Sequence, residues 1–131
     1  MLYNYSLQTK KESFHNITSY AQKSVSISEV KNGLCVIFCP HTTAGITINE
    51  NADPDVVKDM LYGLEKAYPD RKEFQHFEGN SSAHLKATAV GSSVTVIIEN
   101  GKLLLGTWQG IYFCEFDGPR TRKFYVKILS Q

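Results

Sequence analysis

The chain has almost no net charge, no long apolar run and no paired-cysteine motif, and each absence removes a class of function. Its Lys and Arg number 14 against 13 Asp and Glu over 131 residues, a formal balance of +1. General nucleic-acid binders and binders of acidic membranes concentrate positive charge, so neither partner is expected. The basic group Arg120, Arg122 and Lys123 is local. No apolar stretch approaches the roughly 20 residues of a membrane helix. Met1 to Tyr5 lacks the basic head and apolar run of a signal peptide, so a cytoplasmic protein is expected. The 3 cysteines are Cys35, Cys39 and Cys114. An odd count without Cys-x-x-Cys gives neither a disulfide framework nor a zinc knuckle. Cys35 and Cys39 share parity on a strand among apolar neighbours and read as reduced core residues. Gly-x-x-x-x-Gly-Lys-Ser/Thr, Gly-x-Gly-x-x-Gly and His-Glu-x-x-His are all missing, so nucleotide and zinc sites of those kinds are not supported.

What is present is an ordinary globular composition. With 42% hydrophobic and 21% charged residues, disorder is not expected, and the length suits one domain over residues 1–131. Residues 2 to 9 read as a strand. Asn16 caps a helix to about residue 27, with Ile17, Tyr20, Ala21 and Val25 on one face. Leu34 to Cys39 is a continuous apolar run, expected as a strand covered on both faces and ended by Pro40. A polar turn, His41 to Gly45, leads into a strand at Ile46 to Ile48. Asp53 then caps a helix with Pro54 in its first position and a buried stripe of Val57, Met60, Leu61 and Leu64. A short helix around Leu85 to Val90 has Ser81 or Ser82 as its cap and Gly91 as its stop, which puts His84 in the first turn. Beyond Gly91 the pattern is β: 93–98, the hairpin signal Asn100-Gly101, 102–105, 111–116, and 120–129. The fold class expected is α+β and mainly β, two sheets with two main helices and one short one.

Three segments carry polar residues that a plain sandwich does not require. They are His41-Thr42-Thr43, the stretch His76 to His84 with Glu78 and Asn80, and Gly106 to Gln109 together with Glu115 to Arg120. Each would also serve as ordinary turn and cap chemistry. Glu115 shares strand parity with Ile111 and Phe113, so it is expected in the core with a partner, or simply solvated if that strand is an edge or its face is wet. Arg120, a histidine or a metal would serve. Three histidines suit an open zinc site, although their spacing does not show that they converge.

The segments His41-Thr42-Thr43-Ala44-Gly45-Ile46-Thr47-Ile48-Asn49-Glu50, His76 with Glu78-Gly79-Asn80, Ala83-His84-Leu85-Lys86, and Gly106-Thr107-Trp108-Gln109 with Glu115-Phe116-Asp117-Gly118-Pro119-Arg120 together resemble the YjbQ family, nearly end to end. The resemblance implies a β-sandwich-like pseudobarrel, a homotrimer, and a weak, secondary thiamine-phosphate synthase activity. That reaction couples a pyrimidine-methyl pyrophosphate to a thiazole phosphate. His41, His76, His84, Asn80, Glu115 and Arg120 occupy the family's motif positions. The expected roles follow. His84, His76 and Glu115 are catalytic; Thr42, Thr43, Asn80, Trp108, Gln109 and Arg120 hold a small phosphorylated metabolite. His41, His76 and His84 hold a divalent metal, zinc rather than magnesium because the donors are imidazoles. The competing expectation is a non-enzymatic trimer that binds a metal or a phosphometabolite.

Overall fold

The computed structural model describes residues 1–131 as eight strands and three helices. Alternation in β1 (Leu2–Gln8) and β8 (Thr121–Ser130) pairs them antiparallel, with Tyr3 opposite Val126. β8 continues onto β3 (Gly33–Phe38), then β5 (Ser93–Glu99) and the short β6 (Lys102–Leu103), giving the order β1-β8-β3-β5-β6. Asn100 and Gly101, at φ 52° and 77°, make the tight β5–β6 hairpin that their sequence announces. The second sheet places β7 (Gln109–Glu115) between β2 (Ser13–Asn16) and β4 (Ala44–Glu50). The sequence reading had no strand at β2, because Ser13, His15 and Asn16 hide its one apolar member, Phe14.

The inner faces of both sheets and the apolar side of α1 (Thr18–Ser28) share one core, in which Ile17, Ala21, Ile37, Ile46, Phe113 and Phe124 are buried. The cap residue of α1 is Ile17 rather than Asn16, but the Asn16 side chain just before it accepts from the Thr18 N–H at 3.0 Å. β3 departs from expectation. Cys35 and Ile37 are buried, but Leu34 and Phe38 are 41% and 43% exposed, because only one face of this antiparallel sheet lies on the core.

β7 is covered on both faces. Its outer residues Tyr112 and Cys114 join Phe116 in a second cluster with Ala83 and Ala87 of α3 (Ser81–Val90). Phe14 and the α2 residues Val57 and Leu64 pack at its edge. α2 (Pro54–Ala67) begins as expected, with Asp53 accepting from the Asp55 N–H and Pro54 in the first turn. Its stripe faces inward yet no α2 residue is fully buried. α3 is capped at Asn80 rather than Ser81 or Ser82, and Gly91 stops it at φ 97°. A Cβ on Gly45 would lie 2.5 Å from the Gly91 carbonyl oxygen. That bare approach lets the Ile46 N–H donate to the same oxygen at 3.0 Å, fixing the end of α3 on β4. The helix that carries His84 is thereby set against the strand that follows His41.

Candidate functional site

The turn Pro40 to Thr43, the start of α3, the preceding loop and the β7–β8 turn meet at one end of the molecule. They enclose a recess of about 360 Å³ lined by His41, Thr42, Thr43, His76, Glu78, Asn80, His84 and Arg120, with Pro40 and Arg122. The three histidines expected from the sequence are therefore brought together, with Arg120, Asn80 and both threonines. An adjoining recess of about 410 Å³ shares His41, Thr42 and His84 and extends over Ala44, Ala87, Thr88 and Gly91.

Each side chain has a definite support. The Nε2 of His41 accepts from the backbone N–H of Lys123 on β8 at 2.9 Å. Burial, and then the Arg122 charge, lower the His41 pKa from 6.5. A neutral ring that accepts at Nε2 carries its proton on Nδ1, so His41 offers the recess a donor. His84 is the fourth residue of α3, and its ring stands edge-on to that of His76, with centroids 5.4 Å apart. The Ala83 and His84 N–H groups both turn back to the Asn80 carbonyl, which leaves Ser81 and Ser82 with the free N–H groups of the helix start. Glu78 lies 3.9 Å from His76, with both side chains in solvent. Asn80 donates through Nδ2 to Asp117 Oδ2 at 2.8 Å, while its Oδ1 is buried without a partner.

Glu115 is fully buried, on the core face that strand parity assigns to it. Its partner is Arg122, rather than Arg120, a histidine or a metal. Nε of Arg122 donates to Oε1 at 2.7 Å and Nη2 to Oε2, and Thr9 Oγ donates to Oε1 at 2.6 Å. Burial alone would raise this carboxyl's pKa. The hydrogen bonds from Arg122, Thr9 and the Asp117 N–H outweigh it and hold the group below 4.5. Arg122 also reaches the Thr43 hydroxyl at 2.8 Å. Glu115 thus stands behind the recess and braces its floor. Arg122 escaped the sequence reading as a site residue, though its parity with Phe124, Val126 and Ile128 marks it as inward-facing.

Trp108 and Gln109 are not in the recess. Gln109 opens β7, six residues from Glu115, or about 20 Å at the rise of a strand, and Trp108 immediately precedes it. Trp108 is 62% exposed, and Gln109 Oε1 accepts from the Gly106 N–H at 2.8 Å. The expected zinc ligands do not assemble as a set of three: no group of three or more His, Cys, Asp or Glu side chains has metal-holding geometry. His41 shows why, since the Lys123 N–H already takes the lone pair of its Nε2 and Nδ1 carries the proton.

Comparison with known proteins agrees with the motif pattern. Residues 3–131 match the model of the YjbQ-like UPF0047 proteins. A UPF0047 protein of Methanocaldococcus jannaschii is 56% identical over 99% of this chain and 95% of its own length. YugU of Bacillus subtilis, also a UPF0047 protein, is 55% identical over 93% of each chain. A crystal structure of an uncharacterized YjbQ/UPF0047 protein from Clostridium acetobutylicum superimposes with a TM-score of 0.95 at 59% identity, covering 97% of this chain and 99% of that one.

Proposed function

The chain belongs to the YjbQ-like UPF0047 family, and from that premise we propose that its polar recess binds the phosphate or pyrophosphate group of a small metabolite. The carrying observation is the convergence of His41, His76, His84, Asn80 and Arg120 in one cavity with no apolar residue but Pro40 on its wall. Arg120 supplies a fixed charge, His41 an Nδ1–H, and the Thr42 turn a hydroxyl. Such donors favour an oxyanion, most of all one that gains charge as a bond breaks. His76 and His84 are the acid–base pair, one donating to the departing oxygen and the other accepting from an incoming nucleophile.

Thiamine-phosphate coupling uses the leaving-group half of this apparatus. The thiazole nitrogen forms a bond to the pyrimidine methylene as the C–O bond breaks, and the electron pair leaves on pyrophosphate. Arg120, His41 and the threonine turn stabilise that product. The reaction also needs a dry slot for two rings, and the recess has no such wall, with Trp108 at the far end of β7. This supports coupling as a weak secondary activity beside binding or turnover of a smaller phosphorylated ligand. The trimer implied by family likeness is part of the same proposal, supported by the contiguous exposed residues Leu34, Ile97 and Leu129 on the outer sheet face.

Calorimetric titration with inorganic phosphate and pyrophosphate tests the reading. Wild type binds at least one of them, and Arg120→Ala and His84→Ala lose that binding while still melting cooperatively. Absence of binding in wild type overturns it. Binding without turnover of any phosphate ester would identify a sensor or carrier, with saturating ligand adding roughly 2.7 kcal/mol at 100 times its dissociation constant.

A second reading gives His76 and His84 a divalent ion, zinc before magnesium. Two imidazoles on one tetrahedral ion have ring centroids roughly 5 Å apart, and these stand at 5.4 Å. Metal analysis of purified protein decides it. An ion lost in His84→Ala and kept in His41→Ala supports this reading; no ion in wild type removes it.

A further inference from the structure

We infer that Asp117 is a positioning residue that aims Arg120 and Asn80 at the anion from outside the cavity. The inference rests on the anion-binding reading above and adds to it the device that holds the two binding groups in place. Asp117 does not line the recess. Its Oδ2 accepts from Asn80 Nδ2 at 2.8 Å and from Arg120 Nη2 at 3.0 Å. Its backbone carbonyl accepts from Arg120 Nε at 2.6 Å, and its backbone N–H donates to Glu115 Oε2 at 2.9 Å.

Those four bonds join parts far apart in the chain. Asn80 is the cap of α3, Arg120 belongs to the β7–β8 turn, and Glu115 is anchored in the core by Arg122. Arg120 is half exposed, and a long side chain at such a position samples many rotamers unless something holds it. Asp117 takes Nε and Nη2 of the guanidinium, which leaves Nη1 for a ligand. The same carboxylate oxygen fixes the amide of the residue from which α3 begins. One carboxylate therefore sets the separation between Arg120 and Asn80, both of which line the recess.

Simple electrostatics and positioning predict opposite signs here. Removing a negative charge beside an anion site should tighten anion binding if charge alone matters. If Asp117 acts by placement, its removal weakens binding. The test is calorimetric titration with inorganic pyrophosphate of wild type, Asp117→Ala, Asp117→Asn, Arg120→Ala and the Asp117→Ala/Arg120→Ala double variant. Asp117→Ala should weaken binding roughly tenfold, the scale of one charge-assisted hydrogen bond. Asp117→Asn, which keeps an acceptor, should stay within about threefold. In the Arg120→Ala background, Asp117→Ala should lose most of its effect, whereas a general packing defect would add to it. If Asp117→Ala fails to melt cooperatively, the Asn variant and its double with Arg120→Ala carry the comparison. Unchanged or tighter binding in Asp117→Ala, or full additivity, overturns the positioning role while leaving the anion site standing. A wild type that binds no pyrophosphate overturns both.

Discussion

Arg122 and Glu115 form a two-pronged ion pair in the core, directly beneath the threonine turn of the recess, with Arg122 5% and Glu115 0% exposed. The pair joins the end of β7 to the start of β8 and, through the Thr43 hydroxyl, to the turn that carries His41.

Breaking it from one side should be costly. Glu115→Gln leaves the Arg122 guanidinium buried without a counter-charge, and stability should fall by about 3–5 kcal/mol. Urea denaturation monitored by circular dichroism measures this. A loss below about 1 kcal/mol would show that the pair is solvated in solution.

The same carboxylate sets the acid limit. Its pKa is lower in the folded chain than the ordinary 4.5, so the unfolded chain binds its proton first as pH falls. The stabilisation is complete above about 4.5 and disappears as pH drops through the folded value. Melting temperature against pH should fall steeply below 4.5 in wild type and more gently in Glu115→Gln. Parallel curves would assign the acid transition to other groups.

Lys86 makes the converse case. It is 2% exposed on α3, and its ammonium meets Glu12 at 2.9 Å and Glu65 at 2.5 Å. Burial opposes the charge, but the hydrogen bonds it donates to Glu65 and Glu12 prevail and raise its pKa above 10.5. This stabilisation is therefore complete below 10.5 and is lost as pH rises through the folded value. Lys86→Met keeps the volume and frees two partly exposed carboxylates to water, so it should cost about 2 kcal/mol less than Lys86→Ala, which opens a cavity. Equal losses in denaturant titration would show that charge, not packing, governs the position.

Some of this was legible in the residues and some was not. Alternation within β7 placed Glu115 beside Ile111 and Phe113, because side-chain period is local information. Its partner is not among Arg120, a histidine or a metal, because the deciding fact is the inward parity of Arg122 across a turn. The apolar run of β3 suggested burial on both faces, but how many layers cover a sheet is a property of the assembled fold. The cap and proline of α2 are written at Asp53 and Pro54, while its shallow docking is not. Convergence of His41, His76 and His84 joins residues from a turn, a loop and a helix, and no spacing rule encodes such a meeting. Trp108 and Gln109 share a motif with the site's residues without sharing its space.

The shallow docking of α2 divides the recess into two kinds of wall. His41 and Arg122 are tied to strands with buried neighbours, and their backbone should open to solvent only when the whole domain does. His76 and Glu78 hang on the segment after α2, which is held to α3 by the Ser82 hydroxyl on the Tyr68 carbonyl and by Lys86 on Glu65. Amide exchange should be fast there and slow along β7. A ligand that touches both walls has to immobilise the looser one, so part of its contact energy is offset by lost chain entropy. Occupancy is then marked by slowed exchange through residues 54–80, a signature readable before the ligand's chemistry is known.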